Sequence, residues 1–402
     1  MSADHKKYGL MRGELKLQLT KEEDISEYPG RENVRERIER GFKWSGRIGE
    51  LPHMLIWGDM GSGKTHLLRY VRHKFKDETD EIKLVEFEFE PDDKSVISIY
   101  RKIVYGLTKS FVKQLCIDFY NELKKNTDEE GKLLLPQDGT GTLDKERKVF
   151  EDADIGEDLQ SIIKFLVINQ YDSRPINLAW KWFSAEKLSV KDKEELKVNH
   201  DTSNEADVSV RIAEIFQMNS VAYKGKNRIV IFADEVDQID SMRTGADAVT
   251  ALLRKMLESP SCSIILAATA ESLDELSFMK ESVFRRLLQG GFEGVMELPE
   301  FDVQVGDTNE VRDYVVELLK HFRPPGCSLS DLVKDKKDED GNTLSEDVFP
   351  FTEKAITVIP EWCSTRNPPY ALFPGRISDA LTHGLQIARD TNKDIVDEDC
   401  FN

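Results

Sequence analysis

The sequence contains few cysteines and no long apolar run. Its five cysteines (Cys116, Cys262, Cys327, Cys363 and Cys400) are far apart, and no Cys-x-x-Cys pair occurs among them. This spacing argues against a structural zinc site and a disulfide framework, and it is typical of thiols in a reducing compartment. The N-terminal residues contain no apolar signal core, and no stretch approaches the length of a membrane span. We therefore expect a cytoplasmic protein without a membrane partner.

The chain also lacks an excess of basic residues. Over 402 residues, 56 lysines and arginines stand against 75 acidic residues, which gives a formal net charge of −19. An acidic surface repels nucleic-acid phosphates, so DNA or RNA binding through a broad basic face is disfavoured. A local basic face could still contact DNA. Arg69, Arg72, Lys74 and Lys76 are one candidate cluster, although a solvated helix face is the simpler interpretation.

The most specific motif is one continuous segment, Gly58-Asp59-Met60-Gly61-Ser62-Gly63-Lys64-Thr65. Its fixed positions match the phosphate-binding P-loop, and it lies between an apolar run at 54–57 and a helical pattern that opens at His66. In such a loop the backbone N–H groups point at phosphate oxygens, and the helix N-terminus adds partial positive charge. We expect Lys64 to reach the β- and γ-phosphates and Thr65 to bind Mg²⁺. The alternative, a chance glycine-rich turn, does not explain the flanking strand and helix.

Apolar runs alternate with helical patterns between residues 51 and 300. Strands are predicted at 54–57, 82–89, 229–233, 263–269 and 295–298. One long helix is predicted over about 95–125. Strands that alternate with helices indicate an α/β fold in which a parallel five-stranded sheet lies between helices.

The pattern becomes helical beyond Pro299. We therefore predict an N-terminal segment at 1–50, an α/β nucleotide-binding domain at 51–300 and a helical lid domain at 301–402. A helical insertion is expected at about 108–222. The charged stretch 334–341 is interpreted as a solvated loop.

Polar residues end two of the predicted strands. Asp234 and Glu235 come directly after 229–233, and Thr269 ends 263–269. In open parallel sheets, ligands bind at the carboxyl ends of the strands. ATP hydrolysis needs a carboxylate for Mg²⁺ and a base that orients water, so we expect Asp234 to be the metal ligand and Glu235 the base. Thr269 is expected to contact the γ-phosphate or the attacking water; an ordinary strand-terminal threonine is the alternative.

Three arginines are candidates for further phosphate contacts. Arg285 and Arg286 come late in a helix predicted around 278–288. Either could reach the nucleotide of a neighbouring subunit as an arginine finger, and a surface pair that binds a carboxylate is the alternative. Arg376 follows Pro374-Gly375 at the start of a C-terminal helix and could fold back onto the γ-phosphate.

Taken in this order, the motifs resemble those of the AAA+ ATPases. The P-loop segment is similar to Walker A, and Asp234-Glu235 is similar to Walker B. Thr269, Arg286 and Arg376 fall at the positions of sensor 1, the arginine finger and sensor 2. The resemblance implies an enzyme that binds and hydrolyses ATP with Mg²⁺ between the subunits of a homo-oligomer.

Within that family the chain is most similar to the Orc/Cdc6-type initiator clade. Tyr28-Pro29-Gly30-Arg31-Glu32 resembles its adenine-pocket box, which implies that Tyr28 and Arg31 bind the nucleotide together with His66 and the P-loop. Residues 349–355, followed by 374–376, resemble its helical lid.

Three features depart from that clade. Sensor 1 is Thr269 instead of asparagine, the stretch between the second strand and Asp234 is long, and we expect no winged-helix DNA-binding domain after the lid. Residues 177–189 resemble a Trp-x-Trp segment of bacterial relatives that serve in phage-defence and mobile-element systems. The simplest role of Trp180 and Trp182 is to pack the insertion onto the core.

The sequence leaves three functions open. The first is an oligomeric ATP-driven motor or switch that acts on a DNA-associated protein complex, with anti-phage defence as one setting for it. The second is a STAND-like signalling NTPase whose nucleotide state controls the assembly of an effector partner. The third is a scaffold that binds ATP without turnover, against which Lys64, Asp234 and Glu235 argue.

Overall fold

The computed structural model describes residues 7–26, 28–38, 40, 53–78, 82–90, 93, 95–125, 155–202, 204–224, 228–242, 246–259, 261–276, 283, 287, 294–301, 310–338, 340–365 and 372–401. The chain forms two compact units. The first unit combines 1–39, 58–74 and 297–402, and the second combines 40–57 and 75–296.

The second unit is built on the predicted parallel five-stranded sheet. Its strands are β1 (Met54–Gly58), β2 (Ile82–Glu88), β3 (Arg228–Asp234), β4 (Cys262–Thr269) and β5 (Val295–Glu297), in the spatial order β2-β3-β4-β1-β5. All five strands occur where the sequence predicts them. The apolar runs of β1, β3 and β4 are buried on both faces, as expected for parallel strands that are covered by helices, whereas β2 and β5 each leave residues exposed.

The register of the sheet fixes which residues end the strands together. Along β2 and β3 the paired residues run from Ile82 with Arg228 to Glu88 with Asp234. Along β3 and β4 the last recorded pair is Ala233 with Leu266. Because neighbouring strands are parallel, the polar residues that follow β3 and β4 lie at the same edge of the sheet.

Helices cover the sheet and form the predicted insertion. They are α3 (Val96–Leu107), α4 (Lys109–Lys125), α5 (Glu157–Ile168), α6 (Ser173–Phe183), α7 (Val190–Leu196), α8 (Glu205–Tyr223), α9 (Gln238–Ser241) and α10 (Ala246–Glu258). A buried core of aliphatic and aromatic side chains runs from the sheet into α5, α6 and α8. The insertion is therefore continuous with the core of the second unit.

The single helix predicted over 95–125 is wrong, because the chain breaks between α3 and α4. Thr108 has a positive φ of 70° together with an extended ψ of 147°, which is not a helical conformation. Its amide donates back to the carbonyl groups of Val104 and Tyr105, which ends α3. A Cβ at Gly106 would lie only 2.6 Å from Val85 on β2, so the last turn of α3 approaches the sheet closely. Helical periodicity continues across the break, which is why the sequence pattern did not reveal it.

The first unit contains the N-terminal segment, the P-loop and the C-terminal helices. Its helices are α1 (Glu22–Ile25), α2 (Lys64–Glu78, which extends into the second unit), α11 (Glu310–Phe322), α12 (Leu329–Val333), α13 (Glu353–Thr357), α14 (Ile359–Ser364) and α15 (Pro374–Asp390). In the described part of the chain, no helix is long and apolar enough to cross a membrane.

The N-terminal segment packs along the C-terminal helices of the first unit. The amide of Met11 donates to the carbonyl of Phe322 at 2.8 Å, and the amide of Leu15 donates to the Thr382 hydroxyl at 3.0 Å. The Tyr8 hydroxyl donates to the carbonyl of Lys393 at 2.8 Å. Tyr8 and Leu15 are buried in the same core as α11 and α15, so this segment is part of the unit and not an appendage.

Candidate functional site

The P-loop directly follows β1 and is shaped by its glycines. Gly61 and Gly63 have φ values of 87° and 97°, which other residue types rarely adopt. At Gly58 a Cβ would lie 2.8 Å from the carbonyl oxygen of Leu298, closer than real contacts allow. The loop therefore requires glycine at these three positions for backbone reasons that are independent of any ligand.

Lys64 is the first residue of α2, and its ammonium is enclosed by the loop. The Nζ donates to the carbonyl oxygens of Gly58 at 2.9 Å and Asp59 at 2.8 Å, and the side chain is only 7% exposed. The Ser62 hydroxyl is buried and has no hydrogen-bond partner among the described residues. A cationic group that is surrounded by the backbone of a loop at a helix N-terminus is suited to bind a polyphosphate. The ammonium supplies positive charge, and the loop and helix supply N–H donors.

Tyr28 lies against this loop in the first unit. Its ring contacts His66 edge-on with centroids 5.2 Å apart and Tyr70 with centroids 5.8 Å apart. A Cβ added at Gly63 would lie 3.2 Å from the Tyr28 hydroxyl. Burial raises the pKa of Tyr28 to about 12, although Arg31 opposes the shift. Tyr28 is therefore a neutral phenol whose buried hydroxyl faces the P-loop.

Arg31 and His66 are held by backbone carbonyl groups. Arg31 Nη2 donates to the carbonyl of Pro299 at 2.6 Å, and the guanidinium lies 5.0 Å from the centroid of the Phe301 ring. His66 Nε2 lies 3.1 Å from the carbonyl oxygen of Asp24. These contacts fix both side chains within the first unit, and their contact with a nucleotide stays a prediction.

The start of α15 lies beside the P-loop. A Cβ at Gly375 would be 3.6 Å from the carbonyl oxygen of Gly61, and a Cβ at Gly61 would be 3.9 Å from Cβ of Phe373. Arg376 is therefore in the first turn of a helix that adjoins the loop. Its Nη1 lies 3.9 Å from Oδ2 of Asp379, so the guanidinium has a carboxylate one turn away on its own helix.

In the second unit, Asp234 and Glu235 form the turn that ends β3. Asp234 is buried, and its Oδ1 accepts from the amide of Glu235 at 2.9 Å. Glu235 has φ 56°, a left-handed conformation that is uncommon for a residue with a side chain. Its side chain is partly exposed. The sequence-predicted acidic pair thus stands at the carboxyl edge of the sheet on a strained turn.

Thr269 ends β4 at the same edge, and its contact was not predicted from the sequence. Its amide donates to Oδ1 of Asp237 at 2.7 Å. Asp237 comes two residues after Glu235, and only that proximity in sequence could have drawn attention to it. The structure therefore brings Thr269 to the turn that carries Asp234 and Glu235.

The predicted site residues are distributed over both units. Lys64, Thr65 and Arg376 belong to the first, and Asp234, Glu235 and Thr269 belong to the second. Arg285 and Arg286 lie outside the described residues.

The similarity of this chain to known proteins includes the segment that contains the P-loop, Asp234 and Glu235. A family model described as an AAA ATPase domain matches residues 27–266, which is more than half of the 402 residues. Among solved structures, the chain is similar to the Aeropyrum pernix ORC1 protein in complex with DNA, with 12% identity over 98% of this chain and 67% of that chain and a TM-score of 0.43. It is also similar to the Aeropyrum pernix ORC2 protein in ADPNP–ADP complexes, with 14% identity over 92% of this chain and 66% of that chain and a TM-score of 0.41. This chain thus spans at most 67% of the length of either protein. No curated protein matches it.

Proposed function

The chain belongs to the AAA ATPase domain family and is an ATPase, and we propose that it is a homo-oligomer that uses ATP hydrolysis to act on a DNA-associated protein complex. The main evidence for the nucleotide site is the position of the Lys64 ammonium. It is enclosed by a loop whose backbone requires glycine at three positions. An enclosed cation at a helix N-terminus is stabilised when phosphate oxygens replace the backbone carbonyls around it. We therefore assign the β- and γ-phosphates to this loop.

Different residues bind different parts of the nucleotide. Lys64 donates to the β- and γ-phosphate oxygens, while the backbone amides of 59–63 hold the phosphates along the loop. Tyr28, Arg31 and His66 bind the rest of the nucleotide, and the Tyr28 hydroxyl that faces Gly63 supports this assignment.

The metal and the attacking water need groups of a different chemistry. The Thr65 hydroxyl and the Asp234 carboxylate are the proposed ligands of Mg²⁺, with Asp234 acting through water. When bound, Mg²⁺ neutralises negative charge on the phosphate oxygens. Glu235 orients the attacking water and accepts its proton, a role that the partial exposure and strained backbone of Glu235 support.

Three further residues are assigned to hydrolysis and its regulation. Thr269 contacts the γ-phosphate or the attacking water, and the position of Thr269 at the end of β4 supports this role. Arg376 contacts the γ-phosphate from α15, whose first turn adjoins Gly61. Arg286, or its neighbour Arg285, reaches the nucleotide of an adjacent subunit.

The proposed partners are a second copy of this chain and an effector protein. The net charge of −19 supports a protein partner over broad DNA contact, so any DNA contact uses a local basic face. The five free thiols support a reducing, cytoplasmic setting. A role in anti-phage defence is also proposed. It rests on the resemblance of the segment around Trp180 and Trp182 to a segment of bacterial relatives that serve in phage defence.

Steady-state ATPase assays with nucleotide-binding titrations test the chemistry. Lys64→Ala is expected to abolish nucleotide binding, whereas Glu235→Gln is expected to retain ATP binding and to slow hydrolysis at least about a hundredfold. Asp240→Ala removes an exposed carboxylate from the same segment as Glu235 and is the matched control. Unchanged nucleotide affinity in Lys64→Ala would overturn the P-loop assignment.

Size measurement by light scattering tests the assembly. We expect the Glu235→Gln variant to form an oligomer with ATP that dissociates with ADP. A monomer at every protein and ATP concentration would eliminate the finger role of Arg286. A titration that shows no DNA binding at low salt, with or without ATP, would instead favour the STAND-like switch that controls an effector.

A further inference from the structure

The turn after β3 is joined to the end of β4 by two hydrogen bonds. The recorded pairing of β3 with β4 ends at Ala233 and Leu266. Beyond it, the amide of Val236 donates to the carbonyl of Ala267 at 3.0 Å, and the amide of Thr269 donates to Oδ1 of Asp237 at 2.7 Å. The Asp237 carboxylate therefore takes the place of a strand carbonyl, and it extends the contact to the last residue of β4.

The same turn holds Glu235 in its left-handed conformation. The amide of Glu235 donates to Oδ1 of Asp234 at 2.9 Å, and the carbonyl of Glu235 accepts from the amide of Gln238 at 3.0 Å. Val236, between Glu235 and Asp237, is fully buried. The backbone at Glu235 is thus fixed on both sides, and Asp237 connects that fixed turn to Thr269.

We propose that Asp237 is a positioning residue for ATP hydrolysis, because its carboxylate fixes the backbone of Thr269 relative to the turn that carries Glu235. This inference rests on the proposed roles of Glu235 and Thr269. Hydrolysis needs the water-orienting groups at fixed separation, and a shift of about 1 Å in such a group lowers the rate about a hundredfold. Asp237 itself acts through Thr269 and does not contact the nucleotide.

In this proposal Asp237 acts through one acceptor oxygen. A substitution that removes this oxygen should therefore differ in effect from one that keeps it. Asp237→Ala removes the acceptor of the Thr269 amide and leaves that amide without this partner. Asp237→Asn keeps an amide oxygen at the position of Oδ1 and removes only the charge. A positioning role predicts damage in the alanine variant and rescue in the asparagine variant.

The experiment compares kcat and KM for ATP in the full-length wild type, Asp237→Ala, Asp237→Asn and the control Asp240→Ala. We expect Asp237→Ala to lower kcat between about tenfold and a hundredfold with KM within about threefold of wild type. Asp237→Asn and Asp240→Ala are expected to stay within about threefold of wild type in both parameters. ADP affinity, measured by titration, should be unchanged in all four proteins.

Hydrogen exchange of the segment 262–276 gives a readout that does not depend on turnover. We expect faster exchange of the Thr269 amide in Asp237→Ala than in Asp237→Asn or wild type. If Asp237→Ala does not fold, the asparagine variant decides: a kcat that falls tenfold despite normal folding would overturn the acceptor role.

The outcomes separate this inference from the proposed function. If Glu235→Gln abolishes hydrolysis while Asp237→Ala retains wild-type kcat, Asp237 is not a positioning residue and the proposed function stands. If hydrolysis survives Glu235→Gln, the role of Glu235 fails, and the role of Asp237 fails with it.

Discussion

His321 Nε2 donates to Oδ1 of Asp24 at 2.7 Å, and this carboxylate is only 2% exposed. The other carboxylate oxygen accepts from Arg12 at 2.7 Å and from the amide of Gln18 at 2.6 Å. The carbonyl of the same residue contacts His66, which follows the P-loop threonine. Asp24 therefore links α11 to α2 within the first unit through both its side chain and its backbone.

Removal of this carboxylate is predicted to destabilise the first unit. Asp24→Ala leaves Arg12 and His321 without their shared acceptor, and we expect a loss of about 3 kcal/mol in the free energy of unfolding, measured by urea denaturation. Burial acts to raise the pKa of Asp24, but the hydrogen bonds from Arg12, His321 and Gln18 outweigh it and hold the pKa below its ordinary value. A lowered folded-state pKa stabilises the protein above the unfolded-state value of about 4, so the difference between variant and wild type is present at pH 7.

The control for this substitution is an exposed ion pair. Arg174 lies 3.0 Å from Glu195, and Arg174 is 74% exposed. Arg174→Ala is expected to cost less than about 1 kcal/mol. Equal destabilisation by Asp24→Ala and Arg174→Ala would contradict the linking role of Asp24.

A methyl group at Gly63 is predicted to damage nucleotide binding. Gly63→Ala combines φ 97° with a Cβ that lies 3.2 Å from the Tyr28 hydroxyl. We expect the affinity for ATP and ADP, measured by titration, to fall at least about tenfold, because the loop must move away from the geometry that holds phosphate. The double variant Gly63→Ala/Tyr28→Phe removes the hydroxyl and should recover part of the loss.

Gly326 provides the matched control for backbone strain. It has φ 76°, and no atom lies within 4 Å of a Cβ added there. Gly326→Ala should therefore cost about 1 kcal/mol of stability and leave nucleotide affinity unchanged. If Gly63→Ala also leaves affinity unchanged, the P-loop does not hold phosphate in the conformation seen here.

The parts of the fold that the sequence predicts are those with local signals. The strands β3 and β4 appear as short continuous apolar runs, and the P-loop follows β1 as a fixed pattern, so both could be predicted correctly. Asp234 and Glu235 could be identified because they end a buried strand. None of these inferences requires knowledge of which distant residues meet.

The parts that the sequence does not predict depend on distant contacts. Asp24 looks like any surface acid beside Glu22 and Glu23, and its contact with His321 of α11 is with a residue far away in sequence. Asp237 gains its role from Thr269, a residue 32 positions away. The break at Thr108 lies two residues after the close approach of Gly106 to β2, a contact between residues that are distant in sequence.

The pH dependence of stability is predicted to include a contribution from His53. Nδ1 of His53 accepts from the amide of Ile264 at 3.2 Å. Burial lowers the pKa of His53 to about 4, although a hydrogen bond with the backbone of Leu257 opposes the shift. Between pH 6.5 and 4 the unfolded chain binds a proton that the folded protein excludes, so stability falls as pH falls, by roughly 3 kcal/mol at most.

Urea denaturation across this pH range measures the effect. His53→Asn keeps an acceptor for the Ile264 amide and cannot titrate, so its stability should fall less steeply than that of wild type between pH 6.5 and 4. Identical slopes for the two proteins would show that His53 is not excluded from protonation in the folded state.

The insertion is predicted to depend on the ion pair between Arg211 and Glu214. The guanidinium carbon of Arg211 lies 3.7 Å from the centroid of the fully buried Trp182 ring, and Arg211 Nη1 donates to Glu214 Oε2. Glu214 Oε1 accepts from the amide of Gly156 at 2.8 Å. Arg211→Ala removes the guanidinium that pairs with this buried carboxylate and stacks on Trp182, and it should cost about 3 to 5 kcal/mol in urea denaturation monitored by tryptophan fluorescence.

A compensating variant separates the effect of the Glu214 charge from the effect of the lost packing. Arg211→Met/Glu214→Gln removes both charges, fills the space over Trp182 and retains an oxygen acceptor for the amide of Gly156. Because replacing a buried ion pair with groups of similar volume is often close to neutral, the double variant should recover most of the stability that Arg211→Ala loses. A double variant as unstable as Arg211→Ala would mean that the stacking of Arg211 on Trp182, and not the charge of Glu214, holds the insertion together.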